Sequence, residues 1–387
     1  MSFYQYRLLL RFFHVSKLFR YLITLRDFVF YRRRKPFQPL KLYIEVSSVC
    51  DFRCPTCFNS VIRRPGIMMN FNRYKEIVDS ARPVYLELTS MGESFYNKEL
   101  FKMINYAKGK GIYTKLITNG FNLDEKKARA LVRTGIDYLI FSLDSLVEEV
   151  YDRVRSKGKL PRVIENIKCF QKLRDEHSPD TKVGVYFLIS ALNIDSFSRT
   201  LELAEELNFD KIWVGLAYKL FETPNEIFIL EEQDSETRQR YTDAMKAARA
   251  FAQKSGKNDV VSAIDYCLDI MEDHWSNRKS ENRKLCYACL YNPYILADGT
   301  LLPCCLSGLA AVTDKNIVDL MSMGNVFDSG FMDSWQSEKA ARVRRSILED
   351  RRNFAICRDC DYEEGKLFGV FNRISHLIYR LGGPNKA

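Results

Sequence analysis

The sequence predicts an α/β fold built on a barrel-like parallel sheet, followed by a small cysteine-rich region. Three observations predict it. Six short β-rich runs alternate with helical segments between residues 41 and 220. Residues capable of chemistry follow the ends of those runs. Beyond residue 280 the chain becomes rich in Cys, Gly and Pro, the composition of a small metal-stapled unit rather than of a second large core.

The elements follow in order. Residues 5–30 read as a basic amphipathic helix. Leu8, Phe12, Val15, Phe19, Leu22, Ile23 and Phe30 share one face, while Arg7, Arg11, His14, Lys17 and Arg20 fall elsewhere and Arg26 interrupts the stripe. Such a helix packs on the chain or a partner, or lies in a membrane interface. Strands are expected at 41–47, 84–89, 112–118, 137–143, 182–189 and 211–217. Helices are expected near 70–81, 97–110, 124–134, 160–177 and 195–207. This alternation implies right-handed crossovers between parallel strands. In a barrel-like sheet the chemistry gathers at the C-terminal strand ends. Cys50, then Gly92 and Glu93, Asn119, Asp144 and Asn193 follow the first five strands in turn. Residues 236–254 look helical, within a helical linker spanning 221–280.

The net charge of +10 is unevenly spread. Residues 1–40 hold nine bases and one acid, and the remainder holds 50 bases and 48 acids. A near-neutral body with a basic N-terminus argues against a broad nucleic-acid face and for local attraction to an anionic surface. No apolar run reaches the ~18–20 residues that span a bilayer, and no cleavable signal follows the basic start. The expected location is cytoplasmic, with peripheral membrane contact through residues 1–36. The eleven cysteines are grouped: three at 50–57, four at 286–305 and two at 357–360, with Cys169 and Cys267 alone. Tight groups in such a chain read as metal sites in a reducing compartment rather than as disulfides.

The first group is Cys50-Asp51-Phe52-Arg53-Cys54-Pro55-Thr56-Cys57, a C-x3-C-x2-C spacing. Three thiolates on one loop can hold three corners of a [4Fe–4S] cube, and soft thiolates favour iron–sulfur over hard cations. A structural zinc site takes four ligands, and no fourth Cys or His lies nearby in the sequence. The fourth iron is left open for a substrate or cofactor.

This spacing resembles that of the radical S-adenosylmethionine superfamily, and the resemblance extends over residues 41–220. It implies a partial (β/α)6 TIM-like barrel. It also implies that S-adenosylmethionine is chelated at the open iron and cleaved by one electron from a donor such as flavodoxin or ferredoxin. The resulting 5′-deoxyadenosyl radical would abstract hydrogen. Residue by residue, the resemblance places Phe58 near the adenine. Ser90-Met91-Gly92-Glu93 is similar to the Gly-Gly-Glu segment that receives the cofactor's amino group, with Met91 in place of the first Gly and Ser94 where Pro often follows. Thr118-Asn119-Gly120 resembles the motif after the third strand. Ser142 and Asp144 would reach the ribose and carboxylate, Arg155 the carboxylate, and Asn193 the adenine or ribose. The plain alternatives are a simple turn for Asn119 and a solvated helix-end charge for Arg155.

From Cys289 the chain reads C-x9-G-x4-C to Cys304, which resembles the opening of the SPASM and Twitch extensions. Gly299 suits the tight hairpin between them. Gly324-Asn325, Trp335 and Cys357-Arg358-Asp359-Cys360 are similar to the later part. The full SPASM pattern needs further cysteines, but Lys366 stands at the next ligand position and no cysteine follows Cys360. One auxiliary [4Fe–4S] cluster is therefore expected, two clusters in all. Cys289, Cys304, Cys357 and Cys360 are the expected ligands, Cys286 the alternate, and a structural zinc site the bland alternative. Cys305 reads as a spectator, and Cys169 and Cys267 as small buried hydrophobes. The auxiliary region is expected to span 281–387.

No single catalytic residue can be assigned. The leading substrate reading is hydrogen abstraction from an unactivated carbon of a lipid or lipid-linked glycan. It rests on the basic N-terminus and the aromatic-basic stretch 367–380. The alternatives are maturation of a ribosomally made peptide or protein, and oxidation of a small alcohol or sugar. A non-catalytic iron–sulfur or zinc protein is the remaining class.

Overall fold

The computed structural model describes residues 37–57, 59, 66–89, 91–219, 225–276, 286, 288–311, 315–358 and 360. The expected N-terminal helix, Phe58 and the stretch 367–380 lie outside the described residues.

Six strand–helix units run from β1 (Lys41–Glu45) through α1 (Phe71–Ala81), β2 (Tyr85–Thr89), α2 (Leu100–Gly109), β3 (Tyr113–Thr118) and α3 (Glu125–Arg133). They continue through β4 (Tyr138–Ser142), α4 (Glu148–Val154), α5 (Leu160–His177), β5 (Lys182–Ile189), α6 (Phe197–Glu206) and β6 (Lys211–Leu216). All six strands pair in parallel with their sequence neighbours, as the α/β alternation predicts. The resulting curved sheet is the partial barrel.

The helices start where the sequence supplies caps. Asn70 accepts the Arg73 N–H at the start of α1, and Asp124 accepts the Lys127 N–H at the start of α3. Their apolar stripes meet the outer face of the sheet. Tyr74, Ile77 and Val78 of α1 and Leu131 of α3 are buried with Leu42, Ile44, Leu86 and Leu116. The short α4 was not expected from the sequence. Only seven residues long, it carries three buried side chains, Val150, Tyr151 and Val154.

After the barrel, α7 (Ser235–Lys254) and α8 (Asn258–Trp275) pack on each other, and α8 covers β6. The sequence reading bounded α7 and expected the linker to be helical to residue 280, without bounding α8. Yet Val260, Ile264, Cys267 and Met271 lie at helical spacing and are buried.

The cysteine-rich region continues the barrel's own sheet. Its hairpin, β7 (Tyr294–Ile295) and β8 (Thr300–Leu302), lies on the free side of β1, and β7 runs parallel to β1. Lys41 N donates to Tyr291 O and Tyr43 N to Pro293 O, both at 3.0 Å. The helices α9 (Cys305–Ala311) and α10 (Lys315–Met321) follow, then a ninth strand, β9 (Gly324–Asn325), pairs with β8. The sheet order is therefore β6-β5-β4-β3-β2-β1-β7-β8-β9. The chain ends its described part with α11 (Val326–Ser329), α12 (Phe331–Trp335), α13 (Glu338–Glu349) and α14 (Ala355–Arg358). Gly299 turns the hairpin at φ 87°, and a Cβ there would lie 2.5 Å from Asn325 Oδ1. Trp335 is fully buried and donates its indole N–H to Phe37 O at 3.1 Å. Among the described residues no helix is long and apolar enough to cross a membrane.

Candidate active site

The loop after β1 carries Cys50, Cys54 and Cys57, none of them in a disulfide. Backbone contacts shape it. Ser48 N donates to Ile67 O, Cys57 N to Cys54 O, and Glu93 N to Val49 O at 2.7 Å. Gly92 packs against this loop so closely that a Cβ would stand 2.3 Å from Val49 O and 2.5 Å from Val49 N. The glycine is needed for that approach, because backbone on the other side cannot give way. Phe52 N–H points at Cys50 Sγ and Asn59 N–H at Cys57 Sγ, each at 3.4 Å. Burial pushes Cys50 up to about 12 and Cys54 up to about 11, with Arg155 opposing the shift at Cys54. Thiolates in such a site need an adjacent positive centre, which iron supplies.

Glu93 is 2% exposed. Its Oε1 accepts Phe95 N–H and Thr118 O–H, and its Oε2 accepts Asn119 N–H. Burial raises its pKa while these three bonds oppose the rise. A carboxylate has about four acceptor positions, so one remains for an incoming donor. Asn119 accepts Phe121 N–H through Oδ1, while its buried Nδ2 has no partner among the described residues. An orphaned buried donor at a strand end fits a polar ligand.

Across the sheet, Asp144 follows β4 at φ 61°, accepts Leu188 N–H and pairs with Arg155 Nε at 2.7 Å. Arg155 Nη1 lies 3.9 Å from Cys54 Sγ. Burial works against the guanidinium charge, but Asp144 and Cys54 more than compensate and raise its pKa. Arg155 is thus a half-buried, paired cation at the cysteine loop, not a solvated helix-end charge. Asn193 clasps β4 to β5, donating to Asp144 O and Leu188 O and accepting Ser190 N–H. Ser142 ends β4, half-buried.

In the C-terminal region Cys286 lies where the charges of Cys289, Cys304 and Cys360 all act on it. The alternate ligand of the sequence reading thus sits inside the cysteine group. Ser307 N–H points at Cys304 Sγ at 3.5 Å, while Ser307 Oγ accepts from Cys304 Sγ at 3.4 Å and donates to Cys304 O at 2.8 Å. Cys357 is buried on α14, which packs against α9. Among the described residues no three His, Cys, Asp or Glu side chains converge as closely as one metal ion requires.

Sequence reasoning missed three positioning residues. Glu45 joins both regions, accepting Met91 N–H at 3.2 Å and Ala297 N–H at 2.8 Å. Glu87 and Lys115 face each other inside the barrel. The available signal was a charge in the middle of an otherwise apolar strand, which a parallel sheet rarely tolerates without a reason.

Residues 44–204 match the model of the radical SAM superfamily, and residues 286–361 match that of the SPASM iron–sulfur cluster-binding domain. A PqqA peptide cyclase from Granulibacter bethesdensis is 27% identical over 172 residues, covering 44% of this chain and 45% of the relative. The chain thus spans less than half the length of that relative in the match. Among solved structures, SuiB of Streptococcus suis bound to its precursor peptide SuiA is similar at TM-score 0.57 and 16% identity. That match covers 84% of this chain and 71% of SuiB. Native anSMEcpe with bound AdoMet is similar at TM-score 0.58 and 16% identity, over 88% of this chain and all of that one. At these identities the structural likeness shows the fold alone.

Proposed function

The chain belongs to the radical S-adenosylmethionine superfamily and carries a SPASM-type iron–sulfur domain, and from that premise we propose that it modifies a carbon centre in a peptide or protein. It is an enzyme whose cofactors are [4Fe–4S] clusters and S-adenosylmethionine. When bound and reduced, these supply a 5′-deoxyadenosyl radical that removes a hydrogen atom from carbon.

The chain's own residues have the following proposed roles. Cys50, Cys54 and Cys57 hold the first cluster. The remaining acceptor position of Glu93 takes the cofactor's ammonium group, and Gly92 lets that segment approach the loop. Asn119 Nδ2 donates to the cofactor. Arg155, fixed by Asp144, supplies a positive charge for the cofactor's carboxylate. Phe58, Ser142 and Asn193 line or brace the adenosine side. Residues 41–220 form the cofactor unit, and 281–387 the auxiliary unit. There Cys289, Cys304 and Cys360 hold the second cluster, with Cys286 or Cys357 as the fourth ligand. A one-electron donor of the flavodoxin or ferredoxin kind is the expected partner.

The observation that carries the peptide reading is the sequence match to a PqqA peptide cyclase. One layer of the barrel's inner face, Tyr43, Glu87, Lys115 and Tyr138, is polar, which suits a polypeptide better than a lipid tail. The lipid reading rested on residues 1–36 and 367–380, which lie outside the described residues.

The test is direct. The anaerobically reconstituted protein is reduced and given S-adenosylmethionine with short peptides encoded beside its gene. The expected result is a peptide mass change that appears in step with 5′-deoxyadenosine. Cofactor cleavage without any altered peptide, together with an altered lipid extract, would overturn the peptide reading.

A further inference from the structure

The inner face of the barrel carries charges that the cofactor site does not use. Successive strand residues face opposite sides of a sheet. On β3 the helix-facing Thr114, Leu116 and Thr118 are buried, whereas the inward-facing Tyr113, Lys115 and Ile117 are half-buried. Tyr186 and Leu188 on β5 and Trp213 and Gly215 on β6 are half-buried in the same way. Partial exposure of inward positions means that the lumen is open. A closed barrel fills these positions with branched aliphatic side chains. Here the register sets Tyr43, Glu87, Lys115 and Tyr138 side by side in one layer.

Glu87 is 5% exposed, and its Oε2 pairs with Lys41 Nζ at 3.0 Å and Lys115 Nζ at 3.2 Å. Two ammonium groups thus share one carboxylate, leaving one positive charge uncompensated within the group. Lys41 also donates to Tyr43 Oη, Cys305 acts on both lysines, and Lys211, the next cation on this face, lies over the Trp213 ring. Glu45 accepts two backbone N–H groups, and Lys182 is paired with Asp210 at 3.1 Å. Burial, reinforced by repulsion from Lys41, holds the Lys115 pKa below its ordinary value despite Glu87.

A second observation points to the same place. Asn292 is 1% exposed, and neither Oδ1 nor Nδ2 has a partner among the described residues. The bonds from Lys41 N to Tyr291 O and from Tyr43 N to Pro293 O continue the β1–β7 ladder past Tyr294. Asn292 therefore lies level with Lys41, on the face it shares with Tyr294. A buried amide with both ends unsatisfied calls for a ligand.

We propose that Lys41, Lys115 and Asn292, bridged by Glu87, form a carboxylate seat on the lumen floor that holds an acidic side chain of the substrate. The layer of Glu87 and Lys115 lies two residues, about 7 Å, below the end of β2, where the cofactor segment begins. The carboxylate chemistry stands by itself; its polypeptide source rests on the reading proposed above.

The test uses the holoenzyme with S-adenosylmethionine under anaerobic conditions. An amine-acetylating reagent is added, and mass spectrometry follows each lysine. Glutarate is expected to slow acetylation of Lys115 and Lys41 several-fold, leave exposed Lys126 unchanged, and be matched in neither respect by neutral glutaramide. Glu87→Gln, which removes the competing carboxylate, is expected to strengthen the protection, and Asn292→Ala to weaken it. Absence of protection in the wild-type protein, or equal protection by glutaramide, overturns the seat, and neither measurement depends on a variant folding. Two peptides separate the sources. Protection by acetyl-Gly-Glu-Gly-amide supports the acidic side chain, whereas protection by only acetyl-Gly-Gln-Gly with a free C-terminus overturns it. If glutarate protects but no peptide binds or is modified, the seat stands and the peptide reading falls. If peptides are modified without glutarate protection, the seat falls and the peptide reading stands.

Discussion

Two single residues test the proposed cofactor site without touching the cysteines. Gly92→Ala places a Cβ within 2.3 Å of Val49 O, and backbone on both sides must separate. The expected outcome is loss of the first cluster's iron with the auxiliary cluster's iron retained, read by iron and sulfide counting. Equal loss from both clusters would point instead to general unfolding. Asn119→Asp keeps the acceptor for Phe121 N–H but removes the orphaned donor. Losing one such hydrogen bond costs about 1–1.5 kcal/mol, so S-adenosylmethionine should bind roughly tenfold more weakly, measured by equilibrium dialysis at unchanged iron content. The site was legible in the sequence to the extent that a motif marked it. Cys50, Gly92, Asn119 and Asp144 sit at strand ends; spacing marked Cys50, and the family resemblance marked the other three. Asn292 and Glu87 carried no motif. Their significance lies in partners that are present or lacking across the sheet, and only the register reveals those.

At the scale of elements, the strands were legible because their β-branched and aromatic runs are short and bounded by turns. The helix α8 was not bounded within the helical linker because its buried stripe is sparse, Val260, Ile264, Cys267 and Met271, and α4 was missed because two turns are too short for periodicity to emerge. The closing end of β5 and β6 depends on one acid. Asp210 accepts Val183 N–H at 2.8 Å, pairs with Arg174 Nη1 at 2.8 Å and with Lys182 at 3.1 Å. Burial works against its carboxylate, but these partners outweigh burial and hold its pKa below the ordinary value. A depressed folded pKa contributes stability that is present above the unfolded value and lost as pH falls through the folded one. Asp210→Asn should therefore destabilise the protein by about 1–2 kcal/mol at neutral pH. The gap should persist down to roughly pH 4 and close below it. Urea titrations at stepped pH would show this, and a gap that widened in acid would refute it.

At the scale of the whole molecule, the joining of the two cysteine regions could not be read from the sequence. The hairpin of residues 294–302 was predicted, but its partner strand lies about 250 residues earlier in the chain, and nothing local encodes that pairing. Its physical consequence concerns β1. In the intact sheet β1 is central, with β2 on one side and β7 on the other. Leu42 and Ile44 are fully buried on its outer face, while Lys41 N and Tyr43 N donate to Tyr291 O and Pro293 O. Removal of residues 281–387 would turn β1 into an open edge with unpaired backbone groups, and would leave Glu45 without Ala297 N–H. Exposed edges of this kind template association with other chains. The fragment 1–280 is therefore expected to form soluble oligomers or aggregates and to hold the first cluster poorly, even though all three of its thiolates remain. Light scattering after size exclusion, with iron counting on the same fractions, checks both parts. A monomeric fragment carrying a full first cluster would show that the hairpin only covers the barrel. The expected result would mean that the auxiliary region completes the sheet on which the cofactor loop is built.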